Sequence, residues 1–214
     1  MLPLSHSLHL YCPNTNTMAK LGLHLLLLLC VQYLAVKAVS PDSANFIRAS
    51  CRATRYPALC IQCLSSYSST IQQSERQLAQ AALSVSLARA RSTTVFVSKM
   101  TRVSGIKPRE YQAVKDCIEN MGDTVDQLSQ SISELGHMGQ ARGQDFLWHM
   151  SNVQTWVSTA LTNENTCVDG FAGRVMEGNV KVAIKNRVIN VAQITSNALA
   201  LVNRFAERHK AALP

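Results

Sequence analysis

The sequence predicts an all-α fold: an up-down-up-down antiparallel four-helix bundle with an N-terminal helical hairpin. Three observations predict it. Apolar residues recur at helical spacing through nearly all of the chain after Ser65; glycine and proline interrupt that pattern near Gly105-Pro108, Gly136-Gly143 and Gly170-Gly178; and two cysteines flank Tyr56-Pro57 in a short N-terminal stretch.

Residues 1–38 stand apart from this fold. Met18-Ala-Lys20 is a short basic start, Leu21 to Leu34 is a leucine-rich core, and Val36-Lys-Ala38 supplies small residues at the spacing a signal peptidase needs. The segment reads as a secretory signal, because its apolar run of about fourteen residues falls short of the roughly twenty that cross a bilayer. No membrane association is expected once it is cleaved. The residues ahead of Met18 read as an upstream extension, with Met18 able to serve as the start.

The remainder, residues 39–214, is long enough for one domain with a sizeable core. The chain carries 21 Lys+Arg against 13 Asp+Glu, and only Lys20 and Lys37 leave with the signal, so the mature domain stays basic. These cations are scattered rather than clustered, and a secreted product rarely meets nucleic acid, which excludes nucleic-acid binding. An extracellular polyanion would be attracted, with screening beyond ~8 Å at physiological salt.

Five cysteines remain in the mature chain, Cys51, Cys60, Cys63, Cys117 and Cys167. An odd number in an oxidising compartment implies two bridges and one thiol, and the count alone leaves the pairing open. Local geometry favours Cys51 with Cys60, since Tyr56-Pro57 breaks the helix and lets two short helices fold back. Cys117 and Cys167 would then join distant parts of the chain. Cys60-Ile-Gln-Cys63 has the spacing of a redox pair or half a zinc site, but no strand precedes it and no second pair accompanies it. Cys63 reads instead as a small apolar residue on a short helix.

Residues 39–70 form the expected hairpin, ending in a polar linker, Ser65-Ser-Tyr-Ser-Ser-Thr70; residues 71–214 form the bundle. The first long helix opens at Ser74-Glu-Arg-Gln-Leu78, carries Leu78, Ala82, Val85, Ala88, Val95 and Val103 on its apolar side, and stops at Gly105 and Pro108. The second begins at Pro108, a favoured first-turn residue, and sets Val114, Ile118, Met121, Val125, Leu128, Ile132 and Leu135 in an uninterrupted heptad stripe. Asp145 can cap the third, whose stripe is Phe146, Met150, Val153, Val157 and Leu161 and which ends near Asn163. The fourth runs through Val180, Ile184, Val188, Val191, Thr195, Ala198, Val202 and Phe205. Val182, Ile189, Ile194 and Leu199 broaden that stripe, so this helix is expected to be covered on more than one side.

The inventory for catalysis is poor. His137, His149 and His209 are the only mature histidines, and none is spaced from another as a metal pair. Asp123 and Asp126 lie one turn apart on the second helix, the pattern of a solvated face far more often than of an acid/base pair. No phosphate loop, nucleophile elbow or kinase signature occurs. The chain reads as a binding protein that uses no metal or cofactor.

The Cys51 to Cys60 stretch, Lys115-Asp-Cys117-Ile-Glu119, Val125-Asp-Gln-Leu-Ser129, the Trp156 to Cys167 stretch and Asn197-Ala-Leu-Ala200 together resemble, in order, the signatures of the plant invertase/pectin methylesterase inhibitor family. The resemblance spans the mature chain. It implies a hairpin closed by Cys51–Cys60, a bundle bridged by Cys117–Cys167, Cys63 as the odd thiol, and stoichiometric inhibition of a secreted carbohydrate-active enzyme in the apoplast, or cell wall. A basic surface would also be held weakly by pectin.

Two targets follow from the family. Its esterase inhibitors lay polar helix faces across the pectin cleft of the enzyme, and its invertase inhibitors push a Pro-Lys-Phe loop into an acidic sugar pocket. Here the corresponding loop is Lys107-Pro108-Arg109-Glu110-Tyr111, with Glu110 where the aromatic would stand, and a carboxylate facing an acidic pocket would be repelled. With the Ser151 to Phe171 stretch, this favours a 1:1 complex with a pectin methylesterase over an invertase. With the heptad stripe inward, Glu119, Asp123, Asp126 and Gln130 on the second helix and Asn152, Thr155, Thr159 and Thr162 on the third are left outward as the expected partner interface. Each is also what an ordinary solvated helix residue looks like. Two other readings remain: the inhibitory pro-region of a larger esterase, and a non-inhibitory interaction module that kept the fold.

Overall fold

The computed structural model describes residues 41–139, 141–172 and 178–211. All of the described residues fall in one compact unit, Ser40–Pro214. The expected signal segment with Met18, and Gly173 of the third interhelical loop, lie outside the described residues.

The described chain is helical. Two short helices, α1 (Pro41–Cys51) and α2 (Pro57–Leu64), form the hairpin; a 3-10 turn (Ser65–Tyr67) and a one-turn helix α3 (Ser68–Ile71) follow; the long helices are α4 (Glu75–Met100), α5 (Pro108–His137), α6 (Gly143–Asp169) and α7 (Asn179–Ala211). Pro57 and Pro108 each occupy a helix's first turn, where the missing N–H is no loss. The Ser65–Thr70 stretch, expected as a linker, is instead helical, because Ser68 and Ile71 are buried and draw it onto the core.

Each long helix packs against two others, in the cycle α4, α5, α6, α7 and back to α4. Cross-helix bonds run in opposite senses along every pair, which makes all four interfaces antiparallel. Between α5 and α6, Cys117 joins Cys167, Thr124 Oγ1 reaches Ala160 O at 3.3 Å, and Glu134 Oε1 meets His149 Nδ1 at 2.9 Å. Between α4 and α7, Arg204 and Arg208 bind Glu75, Ser86 and Thr195 share a 2.6 Å hydrogen bond, and the Arg187 guanidinium lies 3.8 Å from the centre of the Phe96 ring. Phe146 at the start of α6 stacks on His209 and meets Phe205 edge-on at the end of α7, the three rings forming one cluster. Arg76, in the first turn of α4, donates to Leu135 O, Gly136 O and Gly139 O, satisfying carbonyls that the end of α5 leaves bare.

The core departs from the expected stripes in places. On α4 the buried line is Ala79, Leu83, Ser86, Ala90, Thr93 and Val97, whereas Val95 is 57% exposed and Ala88 and Val103 also face out. Two polar members, Ser86 and Thr93, hid the true phase. On α5 the heptad stripe faces inward, with Cys117, Thr124 and Ser131 buried beside it and Ile118, Val125 and Ile132 at its flank. Helix α6 continues six residues past Asn163, to Asp169, because Glu164 and Cys167 are buried partners of α7 and α5. On α7, Ile194 and Leu201 are buried toward the hairpin, but Val182 and Ile189 are exposed, so the broad stripe is covered only in part.

Two disulfides close the fold: Cys51–Cys60 in the hairpin and Cys117–Cys167 across α5 and α6, with Cα–Cα distances of 5.6 and 4.4 Å. Cys63 keeps a free thiol, half-buried among Leu59, Ala82, Val85 and Leu201, and burial pushes it above the ordinary thiol value despite nearby Arg89. The hairpin is also pinned by Asn197 of α7, which accepts from Tyr56 N at 3.0 Å and donates to Tyr56 O at 2.9 Å. Asn197→Ala is expected to leave Tyr56 N unpaired, while Tyr56 O keeps its 3.0 Å bond from Cys60 N, and to cost roughly 1–3 kcal/mol in denaturant unfolding; an unchanged midpoint would show that the hairpin is held by packing and its disulfide alone.

Candidate functional site

Two helix faces hold the residues that the sequence singles out. On α5, Glu119, Asp123, Asp126 and Gln130 are exposed along the side opposite the buried heptad line. On α6, Thr155 and Thr162 are exposed, and Thr159 is half-exposed between them. Asn152 has a further commitment: its amide donates to Glu134 Oε1 at 3.0 Å across the α5–α6 seam, beside His149. Those two hydrogen bonds, Asn152 first, hold the Glu134 carboxyl below the ordinary carboxylate value.

The outer surface of α6 has an unusual make-up. From Phe146 to Asn163 there is no Asp, Glu, Lys or Arg, in a chain of formal charge +8. Ser151, Gln154, Thr155, Ser158, Thr159 and Thr162 line one open polar shelf along the helix. Several of its donors are already used: Thr159 Oγ1 donates to Thr155 O at 3.0 Å, Thr162 Oγ1 to Ser158 O at 3.0 Å, and Gln154 Nε2 to Asn203 Oδ1 at 2.8 Å. A face without charges and with half of its side-chain donors already bonded loses less when water leaves it than a charged face would.

Trp148 sits one and two heptads before Thr155 and Thr162, and so on the same outward line of α6, and is 62% exposed. Tryptophan is normally well buried and is enriched at binding hot spots, so this residue belongs with the shelf. Trp156, the other tryptophan of the helix, is half-buried, and Trp148 is absent from the residues that the sequence singles out. The available signal was its register: it falls opposite Met150, Val153 and Val157 on the helix, away from the apolar stripe.

Glu110 is 8% exposed and turned inward, where Oε2 accepts from Lys107 N at 3.1 Å at the start of α5. It caps the helix instead of projecting from the loop, and the repulsion expected of it does not arise from this position. Outward on that segment are Lys107, Arg109 and Tyr111.

Nothing in the described residues resembles a metal or catalytic centre. Glu134 and His137 have a Glu-x-x-His spacing, but Glu134 binds His149 and Asn152 while His137 bonds Ser133. Among the described residues no group of three potential ligands converges, and no helix is long and apolar enough to cross a membrane.

Comparison with known proteins agrees with this architecture. The plant invertase/pectin methylesterase inhibitor family model matches residues 45–201. The chain is 53% identical over 171 residues to Pectinesterase inhibitor 11 of Arabidopsis thaliana, covering 79% of this chain and 85% of that one. It is 51% identical over 196 residues to Pectinesterase inhibitor 9 of the same plant, covering 89% and 96%. A crystal structure of a mutant pectin methylesterase inhibitor from Arabidopsis superimposes with a TM-score of 0.57 at 20% identity, covering 72% of this chain and 92% of that one, a likeness of fold. These relatives are inhibitors and not enzymes, and a chain that matches the family model over residues 45–201 and shares their sequence over most of its length belongs to the plant invertase/pectin methylesterase inhibitor family.

Proposed function

We propose that the protein is a secreted inhibitor of pectin methylesterase, acting in the plant cell wall by forming a 1:1 complex that covers the enzyme's pectin-binding cleft and so limits pectin demethylesterification. The observation that carries this reading is the charge-free, threonine-lined face of α6 with Trp148 at one end. A single exposed helix is a convex ridge that fits a cleft, and this one can be desolvated at lower cost than a charged one. Identity above half to two proteins named pectinesterase inhibitors supports the same target. The leucine-rich segment before Val39 supports secretion, and the basic surface favours weak retention by pectin.

The test is titration of the mature protein against a plant pectin methylesterase and a plant invertase side by side at mildly acidic pH. Stoichiometric loss of esterase activity alone is expected; loss of invertase activity alone would overturn the assignment. On the esterase side, Trp148→Ala should weaken inhibition by roughly 30-fold or more, the range of a hot-spot truncation. Thr155→Lys with Thr159→Lys should abolish it by clash and by charge buried without a partner, with the circular dichroism unchanged. Full inhibition by both variants would move the interface off α6.

A further inference from the structure

A second concavity lies on a different seam. Where the turn of the hairpin meets α6 and α7, a cleft of about 130 Å³ opens beneath Arg55 and Tyr56. We propose that this cleft binds one carboxylated sugar ring, a uronate unit.

The lining chooses the ligand. Arg55 is exposed, its guanidinium lies 5.7 Å from the centre of the Tyr56 ring, and it has no ion-pair partner among the described residues. Asn165, Gln193 and Ser196 converge on the same space, and none of them bonds another described residue. The Ser196 hydroxyl is not folded back onto a carbonyl one turn earlier, as those of Thr159, Thr162 and Thr166 are, and stays open to the cleft. Leu161, Ile189 and Ala192 supply the apolar part of the lining alongside Tyr56.

No carboxylate lines the cleft among the described residues, so a cationic or zwitterionic ligand has nothing to neutralise its ammonium group. Arg55 is the one cation lining the cleft among the described residues, and a single guanidinium matches the two oxygens of one carboxylate. Two amides and a hydroxyl suit the hydroxyl groups of a ring, and the aromatic and aliphatic walls suit its C–H face. The volume admits one such ring. The site is also preformed, because Asn197 clamps both backbone polar groups of Tyr56.

This inference does not depend on the esterase reading, since the cleft lies at the α6–α7 seam and not on the α6 shelf. The experiment is an NMR titration of the mature protein with trigalacturonate. Saturable shifts centred on the side-chain amides of Asn165 and Gln193 are expected. Arg55→Gln, an exposed substitution, should lower affinity about tenfold, the worth of one charge-assisted hydrogen bond. Ser196→Leu should block the cleft, and fully methyl-esterified trigalacturonate should bind about tenfold more weakly for want of the carboxylate. A flat titration would overturn the proposal. So would retained binding in both variants, or equal shifts at the same residues with polyglutamate, which would reduce the effect to charge alone.

Discussion

Glu164→Gln is expected to raise thermal stability strongly at pH 9 and hardly at all near pH 5. Glu164 is fully buried on the inner face of α6; its Oε1 accepts from Thr195 Oγ1 at 2.7 Å, Thr195 Oγ1 in turn accepts from Ser86 Oγ at 2.6 Å, and Oε2 has no partner. Burial pushes the carboxyl up to about 8, against the opposing pull of the Thr195 bond. The unfolded chain releases this proton near the ordinary value of 4.5, while the folded chain keeps it until about 8. Between those values the native state binds more protons than the unfolded one, so stability falls as pH rises through the window and levels off above it. The integrated loss is roughly 4–5 kcal/mol, on the order of ten degrees in Tm for a domain of this size. Glutamine keeps the shape without the proton and should flatten the profile. Parallel profiles for wild type and variant would show that Glu164 ionises at little cost in the folded state.

Removing the Cys117–Cys167 bridge should cost more than removing Cys51–Cys60. The first closes a separation of 50 residues and the second one of 9. On the chain-entropy relation these are worth about 4 and about 2.5 kcal/mol respectively. Alanine is the right replacement at both pairs, because all four sulfurs are buried and serine would add the cost of an unpaired hydroxyl. Urea unfolding of the two double variants measures the difference. The ordering matters for function, since the long bridge ties together α5 and α6, the helices whose outer faces form the proposed esterase contact. Equal losses would mean that strain or residual unfolded-state structure outweighs loop length.

The bundle was legible because the information for it is local. The heptad stripe of α5, the proline starts at Pro57 and Pro108, the capping serine at Ser74 and the glycine-rich turns are each written within a few residues. The same locality explains the errors. The phase of α4 was misread because Ser86 and Thr93 stand in its buried line, where Ser86 is acceptable only because Thr195, more than a hundred residues away, meets its hydroxyl. The end of α6 was placed too early because Glu164 looks like a surface residue until its partner on α7 is known. The Ser65–Thr70 stretch is polar in composition, yet Ser68 and Ile71 are pressed onto the core.

The candidate site divides along the same line. Outward positions on α5 and α6 follow from period alone once the apolar stripe is turned inward. Glu110 could not be placed that way, because whether its carboxylate points to a partner or back to Lys107 N depends on rotamer and burial. The convergence of Arg55, Asn165 and Gln193 depends on the hairpin docking against α7 through Asn197. By itself, then, the sequence determined the helices, their order and turns, the family and the basic charge, since these arise from near-neighbour spacing and composition. The tertiary structure alone decided which polar groups are buried, which threonines have spent their donors and which side chains share a cleft, because those depend on atoms that meet only when distant segments pack.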